Sequence, residues 1–222
     1  MIAVIDYRAG NLTSVARALE YLGFPSRVTR EAKEILQADK VILPGVGSAG
    51  QAMRDLKQKG IDKALHEVYA SGKPLLGICL GSQIILQQSE ENKTACLGLL
   101  SGKVQHFPDP LITGHGEILK VPHMGWNRVR LIKDHPVFSG IRPEDEFYFV
   151  HSYFPVPESE DSIIGITEHG IPFASVVGER NLLAVQFHPE KSGRSGLTML
   201  KNFCQWDREA GPSVGTRWPG EQ

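Results

Sequence analysis

The stretch that most restricts how this chain can fold runs from Lys73 to Leu86, Lys-Pro-Leu-Leu-Gly-Ile-Cys-Leu-Gly-Ser-Gln-Ile-Ile-Leu. Its apolar first half predicts a buried strand, its second half a helix from about Gly81 toward Gln88, and Cys79 must occupy the sharp turn between them. A thiol at such a corner needs small neighbours, because a crowded backbone would clash, and Gly77 and Gly81 flank it. A helix starting there would aim its free N–H groups and positive dipole end at the sulfur and favour thiolate. Read alone, Gly-Ile-Cys-Leu-Gly also fits a buried structural cysteine.

A second stretch bears on that choice. The apolar run Leu182-Leu183-Ala184-Val185-Gln186-Phe187 ends in His188-Pro189-Glu190. A cysteine nucleophile needs an imidazole to take and return protons, and the imidazole needs a third group to fix its tautomer and stabilise its cation. His188 suits the first role and Glu190 the second, with Pro189 stiffening the backbone between them. Taken together, Cys79, His188 and Glu190 read as a catalytic triad.

The rest of the first half supplies the scaffold. Ile2 to Tyr7 reads as a short buried strand, and Arg27 to Thr29 and Lys40 to Leu43 as a second and a third strand. They alternate with one helix carrying Leu12, Val15, Leu19 and Leu22, capped by Asn11 and ended by Gly23, and with a shorter helix from Glu31 to Leu36. This β-α order predicts an α/β fold with an open, mostly parallel central sheet and helices on both faces. Ligands bind at the C-terminal edge of such a sheet, where Pro44-Gly45-Val46-Gly47 and Cys79 both fall. The Pro44 to Gly50 loop matches neither dinucleotide nor phosphate-loop spacing. Its glycines suit a peptide unit that turns an N–H toward an oxyanion, or an ordinary tight loop. Helices over about Ala49 to Lys59 and Ile61 to Ser71 follow. Gln83 lies one turn from Cys79 and can reach the same pocket, whereas Ser89-Glu90-Glu91 ends the elbow helix as a charged surface.

From Gly102 the texture changes to short strands with frequent Pro and Gly, at Val104 to Phe107, Ile118 to Val121, Val129 to Leu131, Phe147 to Val150, Ile163 to Ile166 and Ala174 to Val177. Hairpin-like spacing predicts antiparallel additions to the sheet, with Asp109 to Gly116 a loop. A helix returns at about Gly193 to Trp206. One domain is expected over 1–206, followed by a polar, Pro/Gly-rich flexible tail over 207–222.

Composition narrows the function classes. Lys and Arg number 24 against 25 Asp and Glu, a formal net charge of -1, so no nucleic-acid partner is advertised. Cys79, Cys96 and Cys204 are few and widely spaced, which argues against a disulfide framework or zinc site and for a reducing compartment. No run approaches membrane-spanning length and none resembles a leader, so a cytoplasmic protein needing no metal or cofactor is expected.

Gly77-Ile78-Cys79-Leu80-Gly81 with Phe187-His188-Pro189-Glu190 resembles the class I, triad-type glutamine amidotransferases, which have a flavodoxin-like fold. Pro44-Gly45-Val46-Gly47, Val121-Pro122-His123-Met124-Gly125-Trp126-Asn127, Phe147 to Tyr153 and Gln186 to Ser192 are similar to one branch of that family, the glutaminase subunits of imidazole glycerol phosphate synthase. The resemblance runs in order from Ile2 to about Trp206. It implies hydrolysis of glutamine to glutamate and ammonia, with the ammonia passed to a TIM-barrel cyclase subunit in a heterodimer of histidine biosynthesis. It implies oxyanion donors at the Val46 and Leu80 N–H groups. Glutamine contacts follow at Gly45, Gly47, Gln83, Glu91, Ser152 and Tyr153, with Glu91 on the α-ammonium. Cyclase contacts follow at Asn11, Met124, Trp126, Tyr148 and Lys191, and His151 is a pocket-wall candidate. The chain departs from the family where Arg8 replaces a glycine and Ser82 a methionine. Open alternatives are a glutaminase serving another ammonia acceptor and a thiol hydrolase of the same fold.

Overall fold

The computed structural model describes residues 1–7 and 12–207. The first half runs β1 (Ile2–Ile5), α1 (Leu12–Tyr21), β2 (Ser26–Thr29), α2 (Ala32–Gln37), β3 (Lys40–Leu43), α3 (Ala49–Gln58), α4 (Ile61–Ala70), β4 (Leu75–Ile78) and α5 (Leu80–Ile84). Short strands follow: β5 (Gln88–Ser89), β6 (Thr94–Ala95), β7 (Gly102–His106), β8 (Leu111–Ile112), β9 (Ile118–Leu119), β10 (His123–Arg128) and β11 (Arg130–Leu131). The chain then continues through β12 (Glu146–His151), β13 (Tyr153–Pro157), β14 (Ile163–His169), β15 (Ile171–Glu179), β16 (Leu182–Val185) and α6 (Gly193–Gln205).

Eight strands form the central sheet in the order β11-β14-β15-β16-β4-β3-β1-β2. The five from β16 to β2 are parallel, and β15, β14 and β11 extend the sheet antiparallel. β1, β4 and β16 are apolar and buried throughout because both sheet faces are covered, and strand alternation divides their side chains between two cores. Ala3, Ile5, Val41, Leu43 and Leu75 meet Met53, Leu56 and Leu65 of α3 and α4. Ile2, Val4, Ile42, Leu76 and Ile78 face the side that holds Val15 and Leu19 of α1, Phe203 of α6, and Phe147, Phe149 and Phe187. Each fully buried Leu, Ile or Phe contributes about 1.5–3 kcal/mol of transfer free energy.

Several expectations are corrected. The elbow helix stops at Ile84 rather than Gln88, because the N–H groups of Leu97, Leu99 and Leu100 take the Ile84 and Ile85 carbonyls that a longer helix needs. Gln88–Ser89 leave as a strand, and Glu91 lies in a short 3-10 turn. Asp109 to Gly116 is not all loop, since Ile112 pairs with Ile118 across β8 and β9. The later strands do not all join the sheet either. β10 and β12 form their own two-stranded ribbon, and β13-β7-β5-β6 a separate four-stranded sheet. Met124 and Trp126 therefore sit on a strand, β10. Asn11 and Arg8, and the tail beyond Asp207, lie outside the described residues.

Candidate active site

The sheet order brings the two separated motifs together. β4 and β16 are parallel neighbours with Ile78 opposite Val185, so the residues that follow each strand emerge side by side at the same edge. Cys79 N–H donates to the Val185 carbonyl at 2.8 Å, which locks the corner to β16. Cys79 adopts φ 52 and ψ -107, a strained backbone for a residue with a Cβ, held because the flanking elements over-determine it. A Cβ on Gly77 would lie 2.9 Å from the Gly81 carbonyl oxygen, and one on Gly81 would lie 1.9 Å from that of Leu43. Both glycines are thus required by backbone packing. Ser82, where the family more often has methionine, is fully buried and donates its hydroxyl to the Cys79 carbonyl at 2.6 Å, bracing the same turn. α5 spans only five residues, so the dipole assistance expected from a longer helix is reduced to a single turn of N–H groups.

His188 follows β16 by three residues and is 1% exposed. Its Nδ1–H donates to Glu190 Oε1 at 2.7 Å, both side chains being buried, which fixes the tautomer with Nε2 toward the sulfur side. Nε2 has no oxygen or nitrogen partner among the described residues. Burial opposes charging of His188, but hydrogen bonding and charge from Cys79 and Glu190 outweigh it and raise its pKa to about 9. The Cys79 Sγ approaches the Val150 carbonyl at 3.9 Å and lies 3.8 Å from Gln186 Nε2, a donor aimed at the sulfur. The backbone of the Pro189–Lys191 turn is tied back by Ser192, whose hydroxyl donates to the His188 carbonyl at 2.6 Å and accepts from Tyr148 N–H at 2.9 Å.

The raised pKa of His188 gives stability a definite sign. A group whose folded pKa lies above its unfolded value stabilises fully below about pH 6.5 and loses that contribution as pH rises through about 9. The unfolding free-energy gap between the wild-type chain and His188→Gln is therefore expected to narrow from pH 7 to pH 10 in urea titrations. A gap that widens over that range contradicts the assignment.

One of the two oxyanion candidates is engaged elsewhere. Gly45 and Gly47 border Val46, whose side chain is partly exposed, and Gly47 has φ +100. Leu80 N–H, one expected donor, is already occupied, donating to the Gly45 carbonyl at 3.3 Å. Tyr7, which sequence reasoning treated only as a strand end, is buried beneath this loop. A Cβ on Gly45 would fall 2.0 Å from the Tyr7 hydroxyl, which has no hydrogen-bond partner among the described residues. Burial, then the charge of Cys79, push the Tyr7 phenol far above its ordinary value.

The remaining expected contacts divide into two groups. Gln83 is buried and donates to the Tyr153 carbonyl at 2.8 Å and to Gln186 Oε1 at 3.1 Å, so it borders the sulfur pocket together with Ser152-Tyr153. Glu91 Oε2 accepts from Ala49 N–H at 2.6 Å, at the start of α3 just past the Gly45 to Gly47 loop. On the outer face, Met124 is 63% and Trp126 54% exposed. Trp126 meets Tyr148 edge-on with ring centroids 6.0 Å apart, and Lys191 Nζ stands 6.0 Å over the Tyr148 ring. These four side chains form one apolar patch with a cation at its rim. Sequence reasoning missed the roles of Gln186, Ser192 and Tyr7. Gln186 was within the quoted Gln-Phe-His-Pro-Glu run, but nothing in a linear pattern shows that β16 pairs next to β4.

The class I glutamine amidotransferase family model matches residues 3–206. The chain is 49% identical over 209 residues to the imidazole glycerol phosphate synthase subunit HisH of Maridesulfovibrio salexigens, covering 94% of this chain and 98% of that one. It is 50% identical over 211 residues to HisH of Moorella thermoacetica, covering 95% and 97%. The chain belongs to the class I glutamine amidotransferases, in the branch of the HisH subunits. Among solved structures, PurLQS from Thermotoga maritima matches with a TM-score of 0.67 at 18% identity, covering 92% of this chain and 97% of that one. The glutaminase domain of Trypanosoma brucei CTPS matches with a TM-score of 0.63 at 17% identity, covering 93% and 94%. At those identities the two share the amidotransferase fold with this chain. Among the described residues no helix is long and apolar enough to cross a membrane.

Proposed function

We propose that this amidotransferase is the glutaminase subunit of an imidazole glycerol phosphate synthase of histidine biosynthesis. The observation that carries the reading is the corner thiol of Cys79 beside a buried His188 whose Nδ1–H is held by Glu190 at 2.7 Å. Cys79 Sγ attacks the side-chain amide carbon of glutamine, giving a tetrahedral oxyanion. His188 Nε2 delivers a proton to the departing nitrogen, so ammonia leaves and a γ-glutamyl thioester remains. Water, deprotonated by His188, attacks the thioester and releases glutamate and the thiol. Glu190 holds the imidazole in the required tautomer and stabilises its cation. Gly45, Gly47, Gln83, Glu91, Ser152 and Tyr153 bind glutamine, with Glu91 taking the α-ammonium.

Free ammonia in water would protonate and escape, so a docked acceptor site is required. We assign the Met124, Trp126, Tyr148 and Lys191 patch, with Asn11, to a TIM-barrel cyclase subunit joined as a heterodimer in a cytoplasmic enzyme. Exposed aromatic and Met anchors of this kind carry most of the energy of protein interfaces. The arrangement of the Gly45 to Gly47 loop supports a partner-dependent activity. Leu80 N–H cannot serve an oxyanion while it donates to the Gly45 carbonyl, and losing one such donor costs about 100- to 1,000-fold in rate. The isolated chain is expected to hydrolyse glutamine slowly, with kcat rising about 100-fold or more once cyclase and its nucleotide ligand dock. Ammonia release assayed with and without the partner checks this. Equal turnover in both conditions rules out the partner-gated loop, and absent turnover in the complex rules out the glutaminase.

A further inference from the structure

A polar chain runs from Asn127, on the face of β10 opposite Met124 and Trp126, inward to the sulfur. Asn127 begins it. Its Oδ1 accepts from Arg128 N–H at 2.8 Å, and its Nδ2 donates to the Glu168 carbonyl at 2.9 Å, so the amide orientation is determined and Nδ2 also donates to His123 Nε2 at 3.2 Å. His151 fixes the next link. Its Nδ1 lies 2.8 Å from the Tyr153 carbonyl and must carry a proton, leaving Nε2 as an acceptor. His123 Nδ1, 3.0 Å from His151 Nε2, is therefore the donor, and both imidazoles are held as single neutral tautomers. Burial first, and neighbouring imidazoles after it, lower His123 to about 4 and His151 to about 3, with the Tyr153 carbonyl partly opposing this for His151. Neither ring can therefore change charge under neutral conditions.

Beyond the histidines the chain reaches the reaction centre. The Tyr153 carbonyl accepts from both His151 and Gln83, Gln83 continues to Gln186 Oε1, and Gln186 Nε2 lies 3.8 Å from Cys79 Sγ. The starting strand is the one whose Met124 and Trp126 side chains are exposed, with His123 turned inward between Phe149 and His169, at ring centroid distances of 4.8 and 4.2 Å. Two stacked rings could have been buried there as phenylalanines at less desolvation cost. The hydrogen bonds along the chain are what imidazole adds.

We propose that His123 and His151 are positioning residues that tie strand β10 to the Tyr153 carbonyl and the Gln83–Gln186 pair, setting the glutamine pocket beside Cys79. The proposal rests on the glutaminase reading above. His123→Phe keeps the stacked ring and removes the donor to His151, leaving a buried acceptor unsatisfied. In the cyclase complex it is expected to raise the glutamine KM about tenfold with kcat changed less than about twofold. His123→Asn places an amide N–H where Nδ1–H stood and is expected to restore KM. Kinetics unchanged in both variants, or a loss equal in both, overturns the proposal. Should His123→Phe fail to fold, 15N spectroscopy of the unmodified complex decides. His151 is expected to show a protonated Nδ1 and bare Nε2 whose signals move when a glutamine-analogue alkylator occupies Cys79, and immobile or inverted signals overturn the proposal. Wild-type turnover measured alongside judges the glutaminase reading separately.

Discussion

Cys79→Ala is expected to reduce glutaminase turnover in the cyclase complex by about 10^5-fold or more, with glutamine binding retained. Removing a nucleophile eliminates the covalent route entirely, and knockouts of such groups cost about six orders of magnitude elsewhere. The size follows from how much of this site exists to serve the sulfur. Cys79 is held at φ 52 by two backbone contacts that only glycine permits, with His188 and Gln186 directed at it. His188→Asn should fall nearly as far, and the double variant little further, because nucleophile and base act as one unit. Single-turnover ammonia release and isothermal titration with glutamine separate chemistry from binding. Residual activity above about 1% in Cys79→Ala would mean that another group performs the hydrolysis.

The same residues show why some of this was legible in sequence. The elbow and the His-Pro-Glu run could be read because the chemistry dictates local residue types: glycine where a Cβ collides, proline beside a fixed imidazole, apolar strands beneath. Four of the five parallel strands, β1, β3, β4 and β16, were legible for a related reason, since strands buried on both faces need nearly continuous apolar runs, whereas the edge strand β2 exposes Arg27 and Val28. What escaped was set by distant segments. The elbow helix ends early because backbone N–H groups from Leu97 to Leu100 claim its carbonyls, a contact no window around Ile84 contains. β10 had no strand signal in the sequence because Gly125, at φ +135, interrupts its pattern, while its pairing with β12 depends on a strand far along the chain. Buried polar groups were least legible. His123, His151, Gln83 and Gln186 are ordinary polar residues in sequence, and only their mutual distances reveal a chain.

That dependence on close backbone approach leads to the largest expected effect on stability. In Gly81→Ala the new Cβ would stand 1.9 Å from the Leu43 carbonyl oxygen and 3.0 Å from its carbon. Neither atom can swing aside as a side chain would, since Ile42 and Leu43 pair with Leu76 and Gly77 of β4, so the whole β3 end must shift. Overpacking of this kind costs about 3 kcal/mol or more, enough to remove a large share of a domain's net stability. Activity should fall further than stability alone predicts, because Leu43 leads directly into the Pro44 to Gly47 loop and any displacement there moves Val46, a proposed oxyanion donor. Gly114→Ala supplies the reference, as its added Cβ would meet nothing within 4 Å, and it should stay within about 0.5 kcal/mol of wild type. Urea denaturation of the two variants side by side makes the comparison. If Gly81→Ala unfolds at the same denaturant concentration as Gly114→Ala, the elbow is not packed against β3 in the way that presents Cys79 to His188.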